Sequence, residues 1–289
     1  GLVGSEMCIR DKVEIIRLRE AFDLDRTAFR KKWARKESAL RRKIQVARDQ
    51  LDDVDTPAVL RALAERFPTC ATFAFGVGNR EFIGASPERL VTLDGREVST
   101  VALAGTTGTG GDEPSDAELA AEMMASPKIR AEHQFVVDDI TARLATLGLV
   151  GETPVEPDVM RLARVQHLRT PITARVERRS GGVSDMDVIR VANVLHPSPA
   201  VGGTPSDPAV EWILANERFD RGWYAAPVGW TDLDGNGELR VALRSALVDE
   251  SQVQLFSGAG IVADSDPDDE LAETGVKLRA LLDVMESAQ

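Results

Sequence analysis

Runs of two-residue period, closed by glycine-bearing turns, alternate along this chain with charged runs of helical period. That alternation restricts the fold more than any other feature, because strands and helices bury different faces. Residues 57–66 (PAVLRALAER) have helical spacing, and TCATFAFGVG (69–78) and REFIGASPERLVTLDG (80–95) then read as a strand pair. Turns are expected at Gly76–Asn79 and Asp94–Gly95. EVSTVALAG (97–105) adds a third strand and runs into GTTGTGG (105–111). The longest helix is expected from about Asp116 to Leu147, with Ser115 as its N-cap. RVQHLRTPITARVER (164–178) reads as a strand, and MDVIRVANVL (186–195) and DPAVEWILANERF (207–219) as helices. Residues 224–262 read as a meander of three strands, followed by a terminal helix from about Asp268 to Glu286. Such a series forms a layered α+β arrangement, and no repeat or low-complexity linker divides it.

Charge narrows the function classes. The 289 residues carry 47 Asp and Glu against 35 Lys and Arg, a formal charge of -12. A protein that tracks nucleic-acid phosphates needs a net basic face, so that class is excluded. Uncharged stretches are short; one, Val194–Ser206, is interrupted by Pro197, Pro199 and Pro205, and no membrane helix is expected. Two cysteines, Cys8 and Cys70, form no CxxC, which points to a reducing cytoplasm. GLVGSEMCIRD (1–11) has neither the basic start nor the apolar core of a signal peptide. It resembles the peptide obtained when sequencing-adapter read-through is translated, so fold reasoning starts at residue 12. Residues 12–48 look helical and highly charged, until KIQVAR (43–48) suggests a switch to a strand.

Several strings have to be weighed against plainer readings. DLDGNGE (232–238) places oxygen donors as a calcium loop does, but the loop's twelfth position is Leu243, and Asp-Gly and Asn-Gly favour a hairpin turn. GTTGTGG lacks the Lys-Ser/Thr of a phosphate loop. His133, His167 and His196 lack zinc-ligand spacing. The carboxylates carry more information. Six of the ten residues from Asp264 to Glu273 are acidic, and most suit the start of a helix, where negative charge is favoured. Glu270, Glu273 and Lys277 share one helical face, and Glu132 lies on another helix. These could form solvated salt-bridge stripes, or a hard-ion site for Mg²⁺.

The strings KIQVAR (43–48), FIGASPERL (82–90), LAGTT (103–107), SPKIRAEHQFVV (126–137), VQHLRTPI (165–172), LHPSPAVGGTP (195–205), FDRGWYAAPVGW (219–230), VALRSALV (241–248), LFSGAGIV (255–262) and ELAETGVKL (270–278) occur in one order. Together they resemble the chorismate-utilising enzymes, most closely isochorismate synthases. The resemblance implies a layered chorismate-binding fold of two face-to-face β-sheets, with helices outside and the active site in the cleft between them. It makes residues 12–289 a single catalytic domain whose N-terminal part, relative to the family, is missing.

Carried over position by position, Lys43 matches the general base and Glu88 the general acid. Moving a ring hydroxyl needs an amine that takes a proton from water and an acid that gives one to the departing hydroxide, which requires a lowered lysine pKa and a raised glutamate pKa. Glu132 and Glu273 match the Mg²⁺ ligands, with Glu270 as a water-mediated partner. Arg244 and Lys277 match the groups that hold the substrate's carboxylates, a task suited to the planar guanidinium fork. Backbone around Gly105, Thr106 and Gly258 would complete the cradle, and His167 either lines the pocket or serves the fold.

The nucleophile separates the family's branches. Anthranilate synthases typically have Gln where this chain has Lys43, and aminodeoxychorismate synthases have a Lys where it has Ala104. Water is therefore the expected nucleophile. The expectation is a cytoplasmic, monomeric isochorismate synthase that acts on chorismate with Mg²⁺ for menaquinone or siderophore supply. A salicylate synthase, or an inactive truncated relic of the family, is the alternative.

Overall fold

The computed structural model describes residues 12–13, 54–109, 112–161, 165–177, 186–203, 205–217, 220–249, 252–260 and 267–288. Eleven strands among these form two sheets. The five-stranded sheet has the order β1 (Lys12–Val13), β11 (Gln252–Ser257), β10 (Ser245–Asp249), β3 (Arg80–Ser86), β2 (Ala71–Val77). The six-stranded sheet has the order β6 (Asp158–Arg161), β7 (Val165–Arg175), β5 (Glu97–Gly108), β4 (Arg89–Asp94), β9 (Gly237–Val241), β8 (Pro227–Thr231). With the helices named below this is the α+β architecture expected. Residues 12–48 were expected to be helical, yet their first two residues form a strand parallel to β11, with Lys12 opposite Phe256. The leader 1–11 and the KIQVAR string lie outside the described residues.

The chain divides into two compact units, neither continuous in sequence: Gly1–Glu88 with Pro197–Val228 and Arg240–Gln289, and Arg89–His196 with Gly229–Leu239. In the first, α1 (Thr56–Arg66) starts at Asp55, whose side chain accepts from the Ala58 N–H. It buries Val59 and Leu63 in one cluster with Ile83 and Ala85 of β3, Leu255 of β11, and Leu281 and Met285 of α7 (Pro267–Ser287). The short helix α5 (Pro199–Gly202) and α6 (Ser206–Asn216) belong to the same unit.

In the second unit the single long helix expected over 116–147 is two: α2 (Glu113–Ala125) and α3 (Pro127–Ala145). The break falls at Ser126, which is extended at φ -73° and ψ 113°. Pro127 causes it, since proline disfavours helical geometry in the preceding residue and is itself favoured at the first helical position. The cap of α2 is Asp112, accepting from Ser115 N–H, so Ser115 lies inside the first turn. α4 (Val188–Leu195) starts at Asp187 and ends at His196, as expected.

The meander expected over 224–262 is four strands, with β8 and β9 in one sheet and β10 and β11 in the other. The β8–β9 hairpin is the turn expected of DLDGNGE. The Asp232 carboxylate accepts from the N–H groups of Asp234 at 2.9 Å and Asn236 at 2.8 Å, and Gly235 has φ 85°. Among the described residues no helix is long and apolar enough to cross a membrane.

Candidate active site

The expected site residues fall in both units, and Lys43 lies outside the described residues. Glu88 follows β3 through Pro87, and its backbone is fixed by a fully buried serine. The Ser86 hydroxyl donates to the Val241 carbonyl at 2.5 Å and accepts from the Glu88 N–H at 3.2 Å. Val241 N–H donates in turn to the Glu88 carbonyl at 3.0 Å. The segment bearing the expected acid is thus tied to the end of β9. Nearby Tyr224 is buried and stacks on Phe256 with centroids 5.3 Å apart. Burial pushes its phenol above the ordinary tyrosine range, opposed by Arg221 and reinforced by the negative charges of Glu217 and Glu88.

Arg244 lies between β9 and β10, in the left-handed region at φ 49°. Its guanidinium donates to the Cys70 sulfur at 3.6 Å and sits 5.8 Å from the Phe67 ring centroid. Neither neighbour is flagged by a motif; only the length of the chain path between Cys70 and Arg244, 174 residues, hides a contact that folding creates.

Lys277, Glu273 and Gly258 are brought together. The Lys277 ammonium is 2.6 Å from the Glu273 carboxylate and donates to the Gly258 carbonyl at 2.9 Å. The arrangement follows from the helical repeat: Glu273 and Lys277 are i, i+4 on α7. The end of β11 is held to the same helix by the buried Ser257 hydroxyl, which donates to the Thr274 carbonyl at 3.3 Å. Glu270 is half-buried one turn earlier.

In the other unit Gly105 and Thr106 lie toward one end of β5, His167 on the neighbouring β7, and Glu132 on α3, which packs against β5. Gly105 has φ 70°, and the β5–β7 register shifts between Ala104 and Thr106, after which Thr106 faces His167. The bulge lets β5 pass close to α3: a Cβ on Gly105 would lie 2.5 Å from Ile129 Cγ2. Glu132 is three residues beyond Ile129, on the same helical face. Its neighbour His133 is buried and its Nε2 lies 2.7 Å from the Thr170 hydroxyl on β7, docking α3 to the sheet. Burial lowers the His133 pKa, opposed by the Ala104 carbonyl.

Among the described residues no group of three or more His, Cys, Asp or Glu could hold a metal ion. Mg²⁺, however, is bound through one or two carboxylates and completes its shell with water and substrate oxygens. Glu132 and Glu273, in different units, each carry oxygen donors of that kind, and the Glu273 side chain is 52% exposed.

A family model described as "Chorismate binding enzyme" matches residues 35–286. The chain is 45% identical over 246 residues to the salicylate biosynthesis isochorismate synthase of Pseudomonas aeruginosa, a match covering 84% of this chain and 50% of that protein. It is 38% identical over 247 residues to isochorismate synthase MenF of Bacillus subtilis, covering 84% and 51%. Among solved structures, MenF, the menaquinone-specific isochorismate synthase from Escherichia coli, matches with TM-score 0.66 and 33% identity over 81% of this chain and 53% of that one. The chain spans about half the length of the curated relatives it matches.

Proposed function

Because the chain belongs to the chorismate-binding enzyme family, we propose that it is an isochorismate synthase, converting chorismate to isochorismate with Mg²⁺. The observation that carries this reading is the family match over residues 35–286, which spans every residue given a role, from Lys43 to Lys277.

Lys43, as a neutral amine, takes a proton from water as its oxygen bonds to C2 of the ring. The diene electrons shift toward C4, the C4–oxygen bond breaks, and Glu88 gives its proton to the departing hydroxide. Water is consumed and water is released, so the reaction is an isomerisation. Arg244 and Lys277 bind the substrate's two carboxylates, and the backbone at Gly105, Thr106 and Gly258, with His167, shapes the surrounding pocket. Glu132 and Glu273, with Glu270 in support, would hold Mg²⁺, which when bound would supply positive charge to balance the substrate's carboxylates. The protein works on this small-molecule substrate as a cytoplasmic monomer with one catalytic domain over 12–289, and its product serves menaquinone or siderophore biosynthesis.

The test is incubation of the purified 289-residue protein with chorismate and Mg²⁺, with products resolved by chromatography. Isochorismate that disappears in Lys43→Ala supports the assignment. Salicylate with pyruvate, or full turnover by Lys43→Ala, overturns it.

A further inference from the structure

Arg244 is held at both ends, and the two ends are held differently. A non-glycine residue at φ 49° is strained and persists only where its surroundings fix it. Its carbonyl accepts from the Ala85 N–H at 3.1 Å. That approach depends on Gly84, where a Cβ would lie 2.7 Å from the same oxygen. The guanidinium rests on the turn that follows α1, where it meets the Cys70 sulfur and the Phe67 ring. This turn is itself anchored: Phe67 N–H donates to the Leu63 carbonyl and Cys70 N–H to the Phe67 carbonyl, each at 2.9 Å, and Leu63 is buried. Among the described residues no carboxylate pairs with Arg244. A thiol sulfur and an aromatic face fix a cation through weak contacts and, unlike a carboxylate, do not pair with its charge.

We propose that Phe67 and Cys70 are positioning residues that form a neutral seat for Arg244, presetting its guanidinium for a substrate carboxylate. The inference rests on the role given to Arg244 above. A carboxylate seat partner would compete with the ligand, whereas a ring and a sulfur orient the guanidinium without neutralising it. Pre-orientation lowers the entropy lost when the substrate binds and acts equally on ground state and transition state. Its signature is therefore in KM and not in kcat.

The experiment uses the 289-residue chain and measures calorimetric chorismate binding, steady-state kinetics and thermal midpoint together. Phe67→Leu and Cys70→Val are each expected to weaken chorismate binding and raise KM about 2- to 5-fold, with kcat within about twofold of wild type. Phe67→Tyr keeps the ring, Cys70→Ser keeps an acceptor, and both are expected to bind as wild type does. If Phe67→Leu and Cys70→Val bind normally while Arg244→Ala loses affinity, the seat is wrong and the role of Arg244 survives. The seat is equally overturned if all four seat variants lose affinity in step with a fall in thermal midpoint. If Arg244→Ala binds chorismate as wild type does, the reading of Arg244 fails and the seat falls with it.

Discussion

The Lys277 ammonium lies 2.6 Å from the Glu273 carboxylate on the same helix, with the Gly258 carbonyl as its second acceptor. Both side chains are substantially exposed, at 40% and 52%. An exposed pair of this kind contributes at most about 1 kcal/mol to stability. A charge-assisted contact to a substrate carboxylate contributes about 1.5–3 kcal/mol. Lys277→Met is therefore expected to leave the thermal midpoint within a few degrees of wild type and to weaken chorismate binding about 10- to 100-fold. Calorimetric titration beside a thermal melt checks both; a large loss of stability with unchanged affinity would make Lys277 a structural residue.

The Ser86 hydroxyl, fully buried, donates to the Val241 carbonyl and accepts from the Glu88 N–H. Removing the hydroxyl deletes both bonds from a buried setting, at a cost of about 1–3 kcal/mol. Ser86→Ala is expected to lower stability by that amount in urea unfolding. It is also expected to lower kcat more than it raises KM, because the loosened segment carries the proposed acid.

Gly105 meets two constraints, φ 70° and the nearness of Ile129. Gly105→Ala is expected to cost about 2–4 kcal/mol, from left-handed strain and overpacking together. Only the overpacking part involves Ile129, so a double-mutant cycle with Ile129→Ala should return a coupling above about 0.5 kcal/mol. Additive costs would show that α3 is not held against the bulge as described.

Arg169 donates to both carboxylate oxygens of Asp158, at 2.7 and 2.6 Å. These hydrogen bonds hold the Asp158 carboxyl below its ordinary value of 3.8, with partial burial opposing and the Arg169 charge adding. A depressed carboxyl pKa stabilises the fold above the unfolded-state value, and the contribution is lost as pH falls through the folded-state value. Wild type should thus exceed Asp158→Asn by less than about 1 kcal/mol near neutral pH, the pair being exposed. The gap should narrow as pH falls below the ordinary carboxyl value of 3.8 and through the lower folded-state value, in unfolding measured across pH.

Helices and most strands were legible because burial imposes period on the residues themselves. α1, α4, α6 and α7 lie close to where their apolar spacing predicts. The errors sit where one residue interrupts a pattern that resumes beyond it. Apolar helical spacing continues on both sides of Ser126, so only the proline marks the break. Alternation likewise continues through VALRSALV, while the chain turns at Arg244, an arginine in a conformation usually taken by glycine. At the site, the spacing of Glu273 and Lys277 shows from sequence that they share a helical face. The seat of Phe67 and Cys70 under Arg244 is not legible, because it depends on where the turn after α1 comes to rest.

The central claim is that water replaces the ring hydroxyl of chorismate. The most direct measurement is turnover of chorismate with Mg²⁺ in ¹⁸O-enriched water, followed by mass spectrometry of the product. The result predicted is isochorismate carrying one ¹⁸O at its C2 hydroxyl, formed by wild type and not by Lys43→Ala. Isochorismate without the label, or salicylate and pyruvate in its place, would contradict it.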